Sequence, residues 1–303
     1  MKKIRSLVAF LLSITLIAPL ATLQACEENE LELSPEDELE VQLPETPNGE
    51  VETPESPETP ETEESTGNTN GGESDTGGNT TVTPAPTPTP TVEYAQYIKC
   101  TGESVNIRSG AGSSYTVLGS AEKGTSYAVV GKSGNWYKTY YKNQTAYIYA
   151  SYAAVFTIEE SGDDEVESVL AEGYKLIGVP YVYGAVRFHD GNGKLLAGFT
   201  AQKFDCSSLV QYVFYKGAGK ILDVYTRTQV KQGKYVAPSD IQRGDCLFFT
   251  NESRQYLTGI ERVGHVAIYL GNNYILHTAS DYARIEQISA ARWNFFIEAR
   301  RFF

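Results

Sequence analysis

The aromatic residues of this chain are confined to its last two thirds. Of the 35 Phe, Trp and Tyr among 303 residues, only Phe10 precedes Tyr94. Large apolar side chains build cores, so only the part from about residue 93 onward can pack one. Charge divides at the same place. The formal net charge is −13. Residues 26–92 carry eighteen Asp and Glu with no Lys or Arg, whereas residues 93–303 carry 22 bases and 20 acids. The acidity therefore belongs to one segment and does not describe a folded surface. Phosphate binding needs clustered Lys and Arg, and no nucleic-acid partner is expected.

The first 25 residues read as an export signal. Lys2, Lys3 and Arg5 precede an apolar run from Leu7 to Leu20, which is short for a membrane span and interrupted by Pro19. Leu23-Gln24-Ala25-Cys26 follows and resembles a bacterial lipobox, which implies cleavage before Cys26 and lipid on its sulfur. Ordinary cleavage near Ala25 with a soluble product is the alternative. Residues 27–92 hold ten of the thirteen prolines and no aromatic residue. Such a segment cannot offset its ordering entropy and reads as a disordered acidic tether over 26–92. As a coil it would span about 45 Å, more with self-repulsion. The expected location is outside the cytoplasm, on the periplasmic or cell-surface side, anchored to the membrane by lipid.

Two modules follow. Over 93–157, short apolar alternations are separated by turns such as Ser109–Ser113 and Ser133-Gly134-Asn135, the pattern of a small β-barrel. Trp136 is expected in its core and Tyr115 on its surface. Over 163–303 the pattern is α+β. Val166, Val169, Leu170, Tyr174 and Ile177 have helical spacing behind Asp163 and Asp164. A second helix starts at Asp205-Cys206-Ser207-Ser208, with Asp205 as N-cap, and stops at Gly217. Strands then follow at Cys246–Phe249, Val263–Leu270 and Tyr274–His277.

Cys206 stands out among the four cysteines. It falls in the first turn of a helix, where N–H groups and the helix dipole favour a thiolate. Cys246 reads as a small buried hydrophobe, and Cys100 lies in the other module, so no disulfide between them is expected. A nucleophilic thiol needs a base within reach. His265 and His277 flank Gly271-Asn272-Asn273, a hairpin signal. A loop of odd length centred on Asn272 puts both imidazoles on one face as diagonal neighbours; an even loop puts them on opposite faces. His189, beside Asp190-Gly191-Asn192-Gly193, reads as an exposed turn residue. A metal site is disfavoured because Cys206 and His265 are far apart in sequence, without a tight C-x-x-C spacing. No phosphate-binding glycine loop opens a helix, so no cofactor is expected.

Two resemblances add to this reading. VNIRSGAGSSYTVLGSAEKG, NWYK and AYIYASY resemble a bacterial SH3-like domain. GVPYVYGA, FDCSSLVQYVF, RGDCLFF and GHVAIYLGNNYILHTAS resemble the NlpC/p60-type papain-like cysteine peptidases of bacterial cell walls. The resemblance implies a papain-like domain of helices packed on an antiparallel sheet. It implies Cys206 as nucleophile, His265 as general base and acid, and His277 as its orienting partner, with Tyr181, Asp205 and Ser207 lining the cleft. It further implies that peptidoglycan or its peptide fragments are the substrate, cut between γ-D-glutamate and the diamino acid by a monomer, often with recognition of a free amine. Asp205 is then a candidate partner for a substrate ammonium, although capping alone would explain it. The stretch from Arg187 to Lys203 is an insertion relative to this pattern. An amidase or acyltransferase using the same Cys/His pair, or a non-catalytic wall-binding lipoprotein, are the alternatives.

Overall fold

A computed structural model describes residues 92–303. The export signal, Cys26 and the acidic tether lie outside the described residues. The described residues start with eight strands: β1 (Tyr94–Cys100), β2 (Ser104–Arg108), β3 (Val117–Glu122), β4 (Ser126–Ala128), β5 (Gly131–Ser133), β6 (Trp136–Tyr141), β7 (Gln144–Tyr149) and β8 (Ala153–Glu159). Helices α1 (Asp164–Lys175), α2 (Cys206–Ala218) and α3 (Thr226–Gln229) come next. Strands β9 (Lys234–Val236), β10 (Cys246–Phe249), β11 (His265–Gly271), β12 (Tyr274–Ala279) and β13 (Tyr282–Gln287), helix α4 (Ala290–Asn294) and β14 (Phe296–Arg301) complete it.

Among the described residues the strands form two sheets. One has the order β3-β2-β7-β6-β5; the other is nine-stranded, β8-β1-β4-β13-β12-β11-β10-β14-β9. The larger sheet runs through both modules, joined where Ser126 of β4 pairs with Ile285 of β13. Helices α1 and α2 pack on each other, and α2 packs on β11 and β12, which is the α+β arrangement expected.

Local chemistry explains both long helices. Asp163 caps α1, its carboxylate accepting from the N–H groups of Glu165 and Val166. Asp205 caps α2 in a reciprocal box with Ser208. The α2 helix continues one turn-fragment past the expected stop at Gly217 and ends at Gly219, which takes the left-handed conformation (φ 65°). Gly217 serves packing instead. A Cβ there would collide with the backbone of Ser168 and Val169 on α1.

The barrel departs from expectation at Trp136. It is half-buried, not core, and packs against Tyr149 (ring centroids 5.0 Å), which in turn meets Tyr152. Tyr115 is exposed as expected.

Arg243, in the loop before β10, joins three elements. Its Nε and Nη2 donate to both carboxylate oxygens of Glu167 on α1 (2.8 and 2.7 Å). Its Nη1 donates to the Tyr97 hydroxyl of β1 and the Leu270 carbonyl of β11 (2.9 and 2.8 Å). Burial works to raise the Glu167 carboxyl, but hydrogen bonds from Arg243 and Ser161 outweigh it and hold it below its usual value. Arg243→Ala is expected to cost about 3 kcal/mol, because it strands a partly buried carboxylate and takes a donor from the buried Tyr97 hydroxyl. The lowered Glu167 value gives this contribution a pH sign. It is fully present above the ordinary carboxylate range and is lost as pH falls through the depressed folded value. Urea melts of the two proteins should therefore differ most near neutrality and converge in acid. Equal midpoints at pH 7 would contradict the role given to Arg243.

Candidate active site

The two histidines are set on one face by their hairpin. The turn itself has two residues, Asn272 and Asn273, both at positive φ (48° and 64°). A two-residue turn alone would have separated the imidazoles. A bulge between Tyr269 and Gly271 shifts the register, so that Ile268 pairs with Leu276 and Gly271 with Tyr274. The result is the diagonal relation expected of an odd loop, reached through an even turn plus a bulge. His265 Nε2 and His277 Nδ1 lie 2.9 Å apart.

Cys206 begins α2 and is 9% exposed. Its sulfur meets backbone N–H groups of Ser207 and of Val266, the residue after His265. The thiol thus sits where the start of α2 meets the start of β11. Burial, reinforced by the Asp205 carboxylate, pushes the Cys206 thiol up to about 12, and the two backbone contacts pull the other way. Burial and the neighbouring His277 and Arg292 hold His265 well below the ordinary histidine value. The resting pair is therefore a neutral thiol and a neutral imidazole.

The proton positions on the imidazoles follow from a group that sequence reasoning missed. Glu286 on β13 lies beside His277, its Oε1 3.3 Å from His277 Nε2, and it is also paired with Arg292 of α4 (2.9 Å). The opposing pull of burial is outweighed by His277, Arg292 and Arg284, so Glu286 stays ionised. His277 Nε2 makes no aligned hydrogen bond, so the preference is electrostatic: a proton there is attracted by the nearby carboxylate, whereas a lone pair is repelled. His277 Nδ1 then accepts from His265 Nε2–H, which leaves the lone pair of His265 on Nδ1, free to take a proton from a thiol. Glu286 pairs across from Ile275 on β12, two residues before His277. The sequence shows only a β-strand acid there, and nothing local marks it.

The three other expected residues are placed close by. Phe204 and Tyr181 form a parallel bridge, and the Tyr181 amide donates to Asp281, which brings Tyr181 alongside the start of α2. Asp205 and Ser207 are both buried and engaged internally. Arg187 donates to Asp205 Oδ2 at 2.7 Å, and Ser207 Oγ donates to Asp205 Oδ1 at 3.2 Å. His189 is a correction: it is fully buried, not an exposed turn residue. The turn reading holds for Asp190, whose carboxylate accepts from the amides of Asn192 and Lys194. The aromatic cluster of Phe188, Phe199 and Tyr212 pulls the neighbouring His189 inside, against Tyr215. Cys100, Cys206 and Cys246 are free and buried.

Comparison with known proteins agrees with this architecture. Residues 178–301 match the NlpC/P60 family and residues 103–154 match the bacterial SH3 domain. The chain thus carries an NlpC/P60 domain behind a bacterial SH3 domain. A gamma-DL-glutamyl hydrolase of Bacillus subtilis is 36% identical over 126 residues, covering 41% of this chain and 26% of the relative. The peptidoglycan endopeptidase RipA of Mycolicibacterium smegmatis is 35% identical over 115 residues, covering 38% and 21%. A gamma-D-glutamyl-L-lysine dipeptidyl-peptidase of Bacillus subtilis is 30% identical over 120 residues, covering 40% and 34%. The matched region spans only a fifth to a third of these relatives' own lengths.

The raised thiol value predicts how Cys206 reacts. Since the thiolate is the reactive form, alkylation by iodoacetamide should be slow at pH 7 and climb about tenfold per pH unit up to pH 10. Peptide mapping by mass spectrometry assigns the label to Cys206. A plateau near pH 7 would show an ion pair at rest instead.

Proposed function

We propose that this chain is a peptidoglycan hydrolase, a cysteine peptidase that cuts stem peptides at the γ-D-glutamyl–diamino acid bond. The observation that carries the reading is the ordered pair of imidazoles, 2.9 Å apart, with His265 next to Val266, whose backbone N–H meets the Cys206 sulfur. The relatives' names point the same way, since each of the three is called a hydrolase or peptidase of glutamyl or peptidoglycan bonds. A lipid on Cys26 would hold the enzyme at a membrane, with residues 27–92 as spacer.

His265 Nδ1 takes the Cys206 proton as the sulfur attacks the substrate carbonyl. Backbone N–H groups at the start of α2 stabilise the oxyanion. His265 returns the proton to the leaving amine, and water then hydrolyses the thioester with His265 as base. His277 fixes the tautomer of His265, and Glu286 fixes that of His277. Tyr181 borders the cleft, with Asp205 and Ser207 forming its polar floor.

Cys206→Ala is expected to abolish release of stem-peptide fragments from purified peptidoglycan, with an unchanged circular dichroism spectrum. New amino termini on the diamino acid, read by mass spectrometry, identify the bond; new termini elsewhere would indicate an amidase. Full activity of the variant would overturn the mechanism.

Glu286→Gln tests the positioning chain. Its kcat should fall by about tenfold to a hundredfold, less than the ~10⁴ lost when the orienting carboxylate of a Ser-His-Asp triad is replaced. The wild-type acid limb of kcat/KM should lie well below pH 6.5, because His265 must be neutral and its value is lowered. Glu286 favours the protonated form of His265, so its removal should move that limb to still lower pH. A rate loss without this shift would mean that Glu286 acts only on packing.

A further inference from the structure

The insertion at 187–203 delivers one side chain to the start of α2. Arg187 is nearly buried, as is Asp205 (side chains 11% and 5% exposed). The two oxygens of an ionised carboxylate offer about four acceptor sites. Here Oδ1 takes the Ser208 amide (2.9 Å) and the Ser207 hydroxyl (3.2 Å). Oδ2 takes the Gly184 amide (3.1 Å) and Arg187 Nη1 (2.7 Å). The acceptors of Asp205 are therefore fully occupied and its charge is cancelled.

Arg187 is fixed just as tightly. Its Nε donates to the Val224 carbonyl (2.7 Å), Nη1 also donates to the Ala185 carbonyl (2.6 Å), and Nη2 reaches Ser207 Oγ (3.3 Å). The Tyr225 ring lies over the guanidinium, 5.4 Å from its centroid. Five N–H donors meet four acceptors, which leaves one Nη2 N–H uncommitted. This is a built feature and not a surface arginine in passing contact.

We infer that Arg187 closes Asp205 to a substrate cation, so that the site takes stem peptides whose amino terminus is acylated, and not those ending in a free ammonium. The inference rests on the peptidase reading above and names its substrate class. A free ammonium brought to this buried pair would lose hydration and find no unpaired carboxylate. An acylated terminus carries no charge, and its carbonyl oxygen can accept the remaining Arg187 N–H. Peptides still attached to the glycan are acylated at this end, whereas released peptides are not, so the class corresponds to intact wall.

The test compares two synthetic substrates with the full chain: L-Ala-γ-D-Glu-diaminopimelate with a free amino terminus, and the same peptide N-acetylated. Wild-type protein should cleave the acetylated peptide at least tenfold better in kcat/KM. Arg187→Ala frees the carboxylate and should move the ratio at least tenfold toward the free amine, whatever happens to the absolute rates. Because the wild-type ratio is itself decisive, a poorly folded variant does not remove the test. Preference of the wild type for the free amine, or a ratio unmoved in a folded Arg187→Ala protein, overturns the inference and leaves the peptidase reading standing. If neither peptide is cut, and wall fragments are not released either, both fall together.

Discussion

The guanidinium of Arg243 is the contact on which the placement of the site depends. It ties β1 through Tyr97, α1 through Glu167 and Tyr174, and the end of β11 through the Leu270 carbonyl. The Tyr97 and Tyr174 hydroxyls are themselves 2.6 Å apart. β11 begins with His265, and α1 packs against α2, which begins with Cys206. A buried ion pair is weak evidence of net stability, since desolvation offsets much of the attraction. Its effect here is on specificity of arrangement. An apolar cluster would tolerate sliding between α1 and β11, but five directed hydrogen bonds do not, and α2 with its thiol is placed by packing on both of these elements.

From that fixed relation the chemistry becomes a matter of protons. Both imidazoles are neutral at rest and the thiol keeps its hydrogen. A neutral pair has a choice of tautomers that an ion pair does not, and the wrong one would point an N–H at the sulfur. The carboxylate of Glu286, held ionised by His277, Arg292 and Arg284 against the pull of burial, removes that choice at His277, the neighbour of His265. It cannot protonate at working pH, because its carboxyl lies far below the usual range. The order therefore runs from a permanently charged pair at the sheet surface, through His277, to His265.

How much of this was legible in the sequence varies with the range of the interaction. The caps at Asp163 and Asp205 and the apolar stripes of α1 and α2 are local, and the sequence states them directly. The face shared by His265 and His277 depends on the parity of a hairpin register, and the bulge at Tyr269–Gly271 has no local mark beyond a glycine. Gly217 reads as a helix stop because the neighbour that needs its missing side chain, the α1 backbone near Val169, is almost fifty residues away. His189 reads as a turn residue for a related reason. Its immediate neighbours are turn residues, but the burial comes from aromatic partners on α2. Arg187 and Glu286 were invisible as site residues because each matters only through a partner distant in sequence, Asp205 and His277.

The barrel shares one buried hydrophobic cluster with the domain that follows it, Tyr97 and Ile148 lying in the same cluster as Leu170 and Val266. The tip of the β6–β7 hairpin, with Lys142 and Asn143 at positive φ, donates its two amides to the Ile177 and Lys175 carbonyls at the end of α1 (2.8 Å each). The Tyr141 ring lies so close to Gly178 that no Cβ would fit there. Asn143 also donates to the Ala201 carbonyl within the insertion (2.6 Å). These groups lie in sequence between α1 and Tyr181, and between Arg187 and Asp205. The barrel thus restrains both of these chain segments. Without it, the carbonyls ending α1 lose their donors and the insertion loses an anchor. Whatever the barrel binds by itself, it supports the segments that lead from α1 toward Tyr181 and from Arg187 toward Asp205.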